Sequence, residues 1–230
     1  MSRAWNRRAW LAVLLASAGA PVLAQMAPWA SPAHERWKAE LAAFAASDQR
    51  RMPPPGGILF VGSSTIRMWQ GLEQAFPEQG PVIRRGVGGS RLQEWVEFVP
   101  DLVLPYRPRQ IVLYAGENDL VEGFGPMDLL GAFVAFVRRV RLQLPEVPIA
   151  YVSIKPSPSR MARLEAMREA NLLIQTFVLG EPNLDYIELH AAMLDNDGQP
   201  RPELYQRDKL HLTREGYALW RQVISAHLRR

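Results

Sequence analysis

The chain has 230 residues, 48% hydrophobic and 22% charged, which suffices for one packed core and is short for two ordinary domains. That balance excludes disordered, collagen-like and coiled-coil chains, and the absence of cysteine excludes disulfide frameworks, thiolate zinc sites, a Cys nucleophile and a lipidated N-terminal Cys. The formal charge of +4 argues for an acidic partner only if the basic residues belong to the folded part.

Residues 1–24 remove that argument. Arg3, Arg7 and Arg8 form a basic start, residues 10–20 are an apolar run, and Val22-Leu23-Ala24 precedes an expected cut at Ala24/Gln25. The run is too short for the roughly 20 residues that a permanent membrane helix needs. The expectation is a signal peptide on an exported chain, periplasmic or secreted, with no stable membrane anchor after cleavage. Arg7-Arg8 fits a twin-arginine export route as well as an ordinary one. Losing three arginines and no acid leaves 24 basic against 23 acidic side chains, so no nucleic-acid partner is expected. The remaining basic cluster, Arg138, Arg139 and Arg141, falls where a predicted helix ends, and cations suit that end of the dipole.

Residues 25–56 read as an N-terminal helix and a linker. Ser31 caps, Pro32 takes the first helical position, Trp37, Leu41 and Phe44 recur at helical spacing, and a Pro-Pro-Pro-Gly-Gly run stops the helix after Arg51. In the main domain, residues 57–230, short apolar runs at 58–61, 82–83, 111–115, 149–154 and 186–189 alternate with helical patterns. Their apolarity is continuous rather than alternating, as in strands covered on both faces. Helical stripes follow: Leu130, Phe133, Val134, Val137, Val140 and Leu144, then Leu164, Met167, Ile174 and Phe177, then Tyr217, Trp220, Ile224 and His227. The pattern predicts an α/β fold, a three-layer α/β/α sandwich around a parallel sheet of about five strands. Ligands of such sheets sit outside the carboxyl ends of the strands.

The residues that follow the strands carry chemistry. After the first strand, Gly62 allows a tight turn and Ser64 stands where a helix begins, with its own amide facing any anion that forms on a substrate; a plain capping serine reads the same way. After the second, Gly86-Val87-Gly88-Gly89-Ser90-Arg91 frees backbone amides for a phosphate or an oxyanion. Arg91 stands where a dinucleotide fingerprint needs a third small residue, so NAD is not expected. After the third, Gly116-Glu117-Asn118-Asp119 offers an Asn amide to a developing negative charge, or makes an ordinary turn. Ahead of the last helix, Asp208 and His211 are spaced so that the carboxylate can fix the ring tautomer through Nδ1 and leave Nε2 free for a serine proton; a surface Asp and a loop His read the same way. His227, on the last apolar stripe, His34, on a helix outside the main domain, and His190, with no motif beside it, have structural explanations.

Gly62-Ser63-Ser64, Gly89 within Arg85-Gly-Val-Gly-Gly-Ser90, Gly116-Glu-Asn-Asp119 and Asp208-Lys-Leu-His211, in this order, resemble the four blocks of the SGNH hydrolases, also called the GDSL esterase/lipase family. The resemblance runs from about Gly57 to the C-terminus. It implies a flavodoxin-like fold and ester hydrolysis with no cofactor and no metal. Carried over, Ser64 is the nucleophile, His211 the general base and Asp208 its orienting partner, while the Ser64 amide, Gly89 and Asn118 form an oxyanion hole. Two positions depart from the family pattern: Ser63 replaces the usual Asp of the first block, and Arg84 a common Asn of the second. Neither holds a catalytic role, although Ser63 makes a second candidate nucleophile.

The function expected is an exported serine esterase acting through an acyl-enzyme on short-chain acyl or O-acetylated carbohydrate esters. The substrate is a small-molecule, glycan or lipid ester, and lysophospholipids and thioesters are the alternatives within the family. A non-catalytic glycan- or acyl-binding module on the same fold, and a flavin- or phosphate-binding sheet protein, are the alternatives outside it. Trp69 and Trp95, which follow the first two blocks, could floor the substrate or sit in the core. The segment Lys155-Pro-Ser-Pro-Ser-Arg160 could rim the site, with Lys155 or Arg160 meeting an anionic group, or form an ordinary loop.

Overall fold

A computed structural model of the chain describes residues 31–229. The expected signal peptide lies outside the described residues. Strands β1 (Ile58–Gly62), β2 (Val82–Gly86), β3 (Gln110–Tyr114), β4 (Ile149–Val152) and β5 (Leu184–Ile187) form one parallel sheet in the order β2-β1-β3-β4-β5. Their alternate residues enter two cores. Leu59, Val61, Ile111, Leu113, Ile149 and Tyr151 face one side, and Ile58, Phe60, Val112, Tyr114, Ala150 and Val152 the other. Burial on both faces is why β1, β3 and β4 show no polar alternation.

Ahead of the sheet run α1 (Pro32–Arg36) and α2 (Lys38–Arg50). The helices that follow are α3 (Ser64–Arg67), α4 (Leu92–Leu102), α5 (Glu117–Val121), α6 (Pro126–Arg141), α7 (Leu164–Leu179) and α8 (Arg214–Ser225). Helices α4, α6 and α7 close the first core, while α3 and α8 close the second through Ile66, Trp220 and Ile224. The chain leaves β1 for β2 on one side and then returns to β3 on the other. The carboxyl ends of β1 and β3 therefore border the crevice that opens where strand order reverses.

Four expectations change. The N-terminal helix is two, because the backbone kinks at Trp37 (φ −114°, ψ 20°) and lets the indole reach inward while Ser31 and Pro32 start α1 as expected. This helical segment does not lie apart from the main domain. His34 packs edge-on against Phe98 and pairs with Asp101 on α4, and Leu41 and Phe44 pack against the first core. Strand β2 runs on through Arg84 and Arg85, where the apolar signal stops; the Arg85 guanidinium stays within the layer by pairing with Asp48 and donating to the Tyr106 hydroxyl, each at 2.6 Å. On α6 the buried stripe is Leu129, Ala132, Phe133, Phe136, Val137 and Val140, which leaves Leu130 and Val134 at the edge. Of the two readings of Trp69 and Trp95, the structure bears out the core one: both are buried.

Candidate active site

Ser64 opens α3 straight out of β1, and its Oγ lies 2.9 Å from His211 Nε2. Ser63, the second candidate, caps α3 with its backbone and hangs from β3 through a 3.1 Å bond to Tyr114 O. The geometry thus brings Ser64, not Ser63, to the imidazole. His211 comes from a turn that Asp208 builds around itself: Asp208 Oδ1 accepts from the Leu210 and His211 amides at 3.0 Å, and Oδ2 lies 2.6 Å from His211 Nδ1. A carboxylate can only accept, so Nδ1 carries the proton and Nε2 is left to accept from the Ser64 hydroxyl. The turn is tight enough to hold Lys209 at φ 57°, a left-handed conformation that a lysine rarely takes. Burial would raise Asp208, but the bonds from the His211 ring and amide outweigh it and hold the carboxyl at about 2.

Gly89 and Asn118 come from the loops after β2 and β3. Gly89 takes φ 85°, and Asn118 Nδ2 donates one hydrogen to Ser90 O at 3.0 Å, which fixes the amide plane and leaves its second hydrogen for another acceptor. Among the described residues, the Ser64 and Gly89 amides donate to no protein acceptor. Ser64, His211, Asp208 and the unspent donors therefore converge at the carboxyl ends of the strands, an arrangement able to serve acyl transfer.

Asn118→Ala is expected to lower kcat by about 10²- to 10³-fold with KM little changed, because an oxyanion donor acts mainly in the transition state. Steady-state kinetics on a model ester measures it, and an unchanged kcat would remove Asn118 from the oxyanion hole.

Three further residues have roles that the sequence reading did not give them. Asp119 is fully buried and accepts the Leu92 amide with both oxygens, at 2.9 and 3.0 Å, so it caps α4 and ties the Gly89 loop to α5. Burial pushes it up to about 6, against the pull of those amides. A raised carboxyl favours folding below its unfolded value and loses that contribution as pH climbs from about 4 through about 6. The melting temperature of the wild type relative to Asp119→Asn is therefore expected to fall between pH 4 and pH 7. A constant difference would refute this origin.

Lys155 is the second. It is 0% exposed, so it meets no substrate anion; its Nζ donates to Glu117 Oε2 at 2.6 Å and to Ser157 Oγ at 2.7 Å. Burial pulls its ammonium below the ordinary lysine value while Glu117 works against that. The loop it opens does border the site, because Ser159 N donates to Lys209 O and Tyr205 Oη to Pro156 O. Trp37 is the third: its Cη2 stands 3.3 Å from the point where Gly89 would carry a Cβ. Arg36 beside it reaches Glu94 and Glu122, which Arg91 also pairs, so four charges fasten the N-terminal segment to the loops after β2 and β3. A long-range aromatic contact of this kind leaves no periodic signal.

The other histidines are structural, as expected: His190 Nδ1 lies 2.8 Å from Ile154 O, with its pKa lowered by burial, and His227 pairs with Asp185 at 2.7 Å.

A parallel sheet with this constellation at its carboxyl edge is the architecture of an ester hydrolase. The family model for GDSL-like lipases/acylhydrolases matches residues 59–219, and the chain belongs to that family. Solved structures agree in fold. A Streptococcus pneumonia protein, provisionally described as a platelet activating factor, superposes with a TM-score of 0.75 at 20% identity over 85% of this chain and 96% of that one. A GDSL-like lipase from Bacteroides thetaiotaomicron gives 0.66 at 19% identity over 85% and 96%. A family 3 carbohydrate esterase from Clostridium thermocellum gives 0.60 at 16% identity over 76% and 97%. No curated protein matches the chain.

Proposed function

We propose that the chain is an exported serine esterase that hydrolyses short-chain acyl esters, O-acetylated carbohydrates among them, through an acyl-enzyme. The observation that carries this is the unbroken Asp208–His211–Ser64 hydrogen-bond chain. Ser64 Oγ attacks the ester carbonyl as its proton passes to His211 Nε2. The tetrahedral oxyanion takes hydrogen bonds from the Ser64 and Gly89 amides and from Asn118 Nδ2. His211 returns the proton to the departing alcohol, and water, deprotonated by the same ring, releases the acid. Asp208, held at about 2, stays ionised throughout the working range and so keeps the His211 ring oriented in every step.

The short acyl preference rests on Trp37, whose indole walls the oxyanion loop at Gly89. The likeness to a carbohydrate esterase fits the same reading. A fluorophosphonate is expected to label the mature enzyme once, on the peptide that holds Ser64. On nitrophenyl esters, kcat/KM is expected to fall about tenfold or more from acetyl to octanoyl, since a pocket that rejects a few methylenes discriminates at that level. Labelling elsewhere would overturn the nucleophile, and a rise with chain length would replace the short-chain reading by a lysophospholipase or thioesterase. Export is checked separately, by Gln25 at the N-terminus of the protein recovered outside the cytoplasm.

A further inference from the structure

We infer that a groove beside the nucleophile binds an anionic group, a phosphate, sulfate or carboxylate, on the alcohol portion of the ester. This deepens the esterase reading above and rests on it. The groove has a volume of about 750 Å³ and begins one turn beyond Ser64. Arg67, Arg214 and Arg221 line it beside Gln206 and Tyr217, and no Asp or Glu is among its lining residues. Among the described residues none of these three arginines has an ion-pair partner, whereas Arg84, on the neighbouring strand, is neutralised by Glu73 at 3.0 Å.

Arg67 is seated rather than loose. A Cβ at Gly86 would fall 2.3 Å from the Arg67 amide nitrogen, and one at Gly88 would fall 2.4 to 2.6 Å from Nε, Cζ and Nη2 of its guanidinium. Gly86, which ends β2, and Gly88 just after it thus leave room for this one side chain, and the guanidinium lies against the loop whose next residue is Gly89. Holding an exposed charge in one place has an entropic cost, and no carboxylate among the described residues offsets it. An incoming oxyanion would offset it, because a planar guanidinium pairs with such groups through two parallel bonds.

The side of the groove decides which part of the ester reaches it. The departing oxygen must take its proton from His211 Nε2, so the alcohol portion leaves over His211. Leu212 and Thr213, the two residues after His211, line this groove. Tyr217, stacked on Trp69 at 5.0 Å, supplies a flat apolar wall on which a sugar ring could rest.

A matched pair of acetyl esters tests this: a neutral sugar and the same sugar carrying one anionic group, as a uronate in one arm and a phosphate in another. The wild type is expected to favour the anionic member in kcat/KM by about tenfold, and the preference to shrink as ionic strength rises. Arg67→Gln should bring each variant's own anionic-to-neutral ratio close to one, Arg67→Lys should restore part of it, and Arg214→Gln with Arg221→Gln should lower it independently of Arg67. The relative size of the two arms distinguishes a carboxylate from a phosphate ligand. Equal rates on the pair, or a ratio that survives all these changes, overturns the anion site while leaving the esterase intact. Hydrolysis of neither ester, with no label on Ser64, overturns the esterase reading and this inference together.

Discussion

Ser64→Ala is expected to lower kcat by about 10⁴- to 10⁶-fold and to abolish fluorophosphonate labelling, with the fold preserved. Ser64 is half-exposed at the head of a four-residue helix, and among the described residues its hydroxyl has one hydrogen-bond partner, His211. Removing it therefore costs chemistry and leaves packing untouched. His211→Ala should fall by a similar factor, because the base works only on that hydroxyl. The informative measurement is the double variant. Two residues that act as one unit give a double loss close to either single loss, whereas independent contributions would multiply. Asp208→Asn should cost less, about 10²- to 10⁴-fold, by turning the imidazole to the wrong tautomer. A multiplicative double variant would show that Ser64 and His211 do not share one proton transfer.

Lys155→Met should produce the largest loss of stability of any single change near the site, about 3 to 5 kcal/mol. Lys155 and Glu117 are 0% and 5% exposed, and Glu117 Oε1 has no hydrogen-bond partner among the described residues. Without the ammonium, the carboxylate retains only the Tyr114 hydroxyl, 3.0 Å from Oε2. For a chain of this size the melting temperature should drop by about 10 °C. Adding Glu117→Gln to the same protein should return much of that loss, because the unpaired buried charge, rather than the missing bond, is what destabilises. If the double variant melts no higher than the single, the pair is not the unit that matters. Activity should suffer as well: Glu117 directly precedes Asn118, and Lys155 opens the loop that meets Lys209 beside His211.

The sequence spoke clearly where one physical pressure acted alone. Strands buried on both faces had to be apolar throughout, and β1, β3 and β4 were found within two residues of their true ends. Asp208 and His211 were legible because three residues of a turn suffice to join a carboxylate to a ring. Legibility failed where a charge found its partner across the fold. Arg85 hid the second half of β2, since nothing local announces that Asp48, 37 residues earlier, will neutralise it. Lys155 read as a cation available to a ligand for the same reason, its partner being 38 residues away. The glycines of the run after β2 were read as freeing amides for a ligand. Gly89 keeps that reading, while Gly86 and Gly88 give room to Arg67.

Ser64 and His211 lie 147 residues apart, one at the end of the first strand and the other just before the last helix. Closing so long a loop is entropically expensive, and contacts of this separation belong among the late events of folding. The pair is thus a reporter of complete folding: a full-length chain that has not yet folded contains both residues and does not bring them together. Any assay of the Ser64–His211 contact is therefore also an assay of whether the first strand and the last helix have docked on the same sheet.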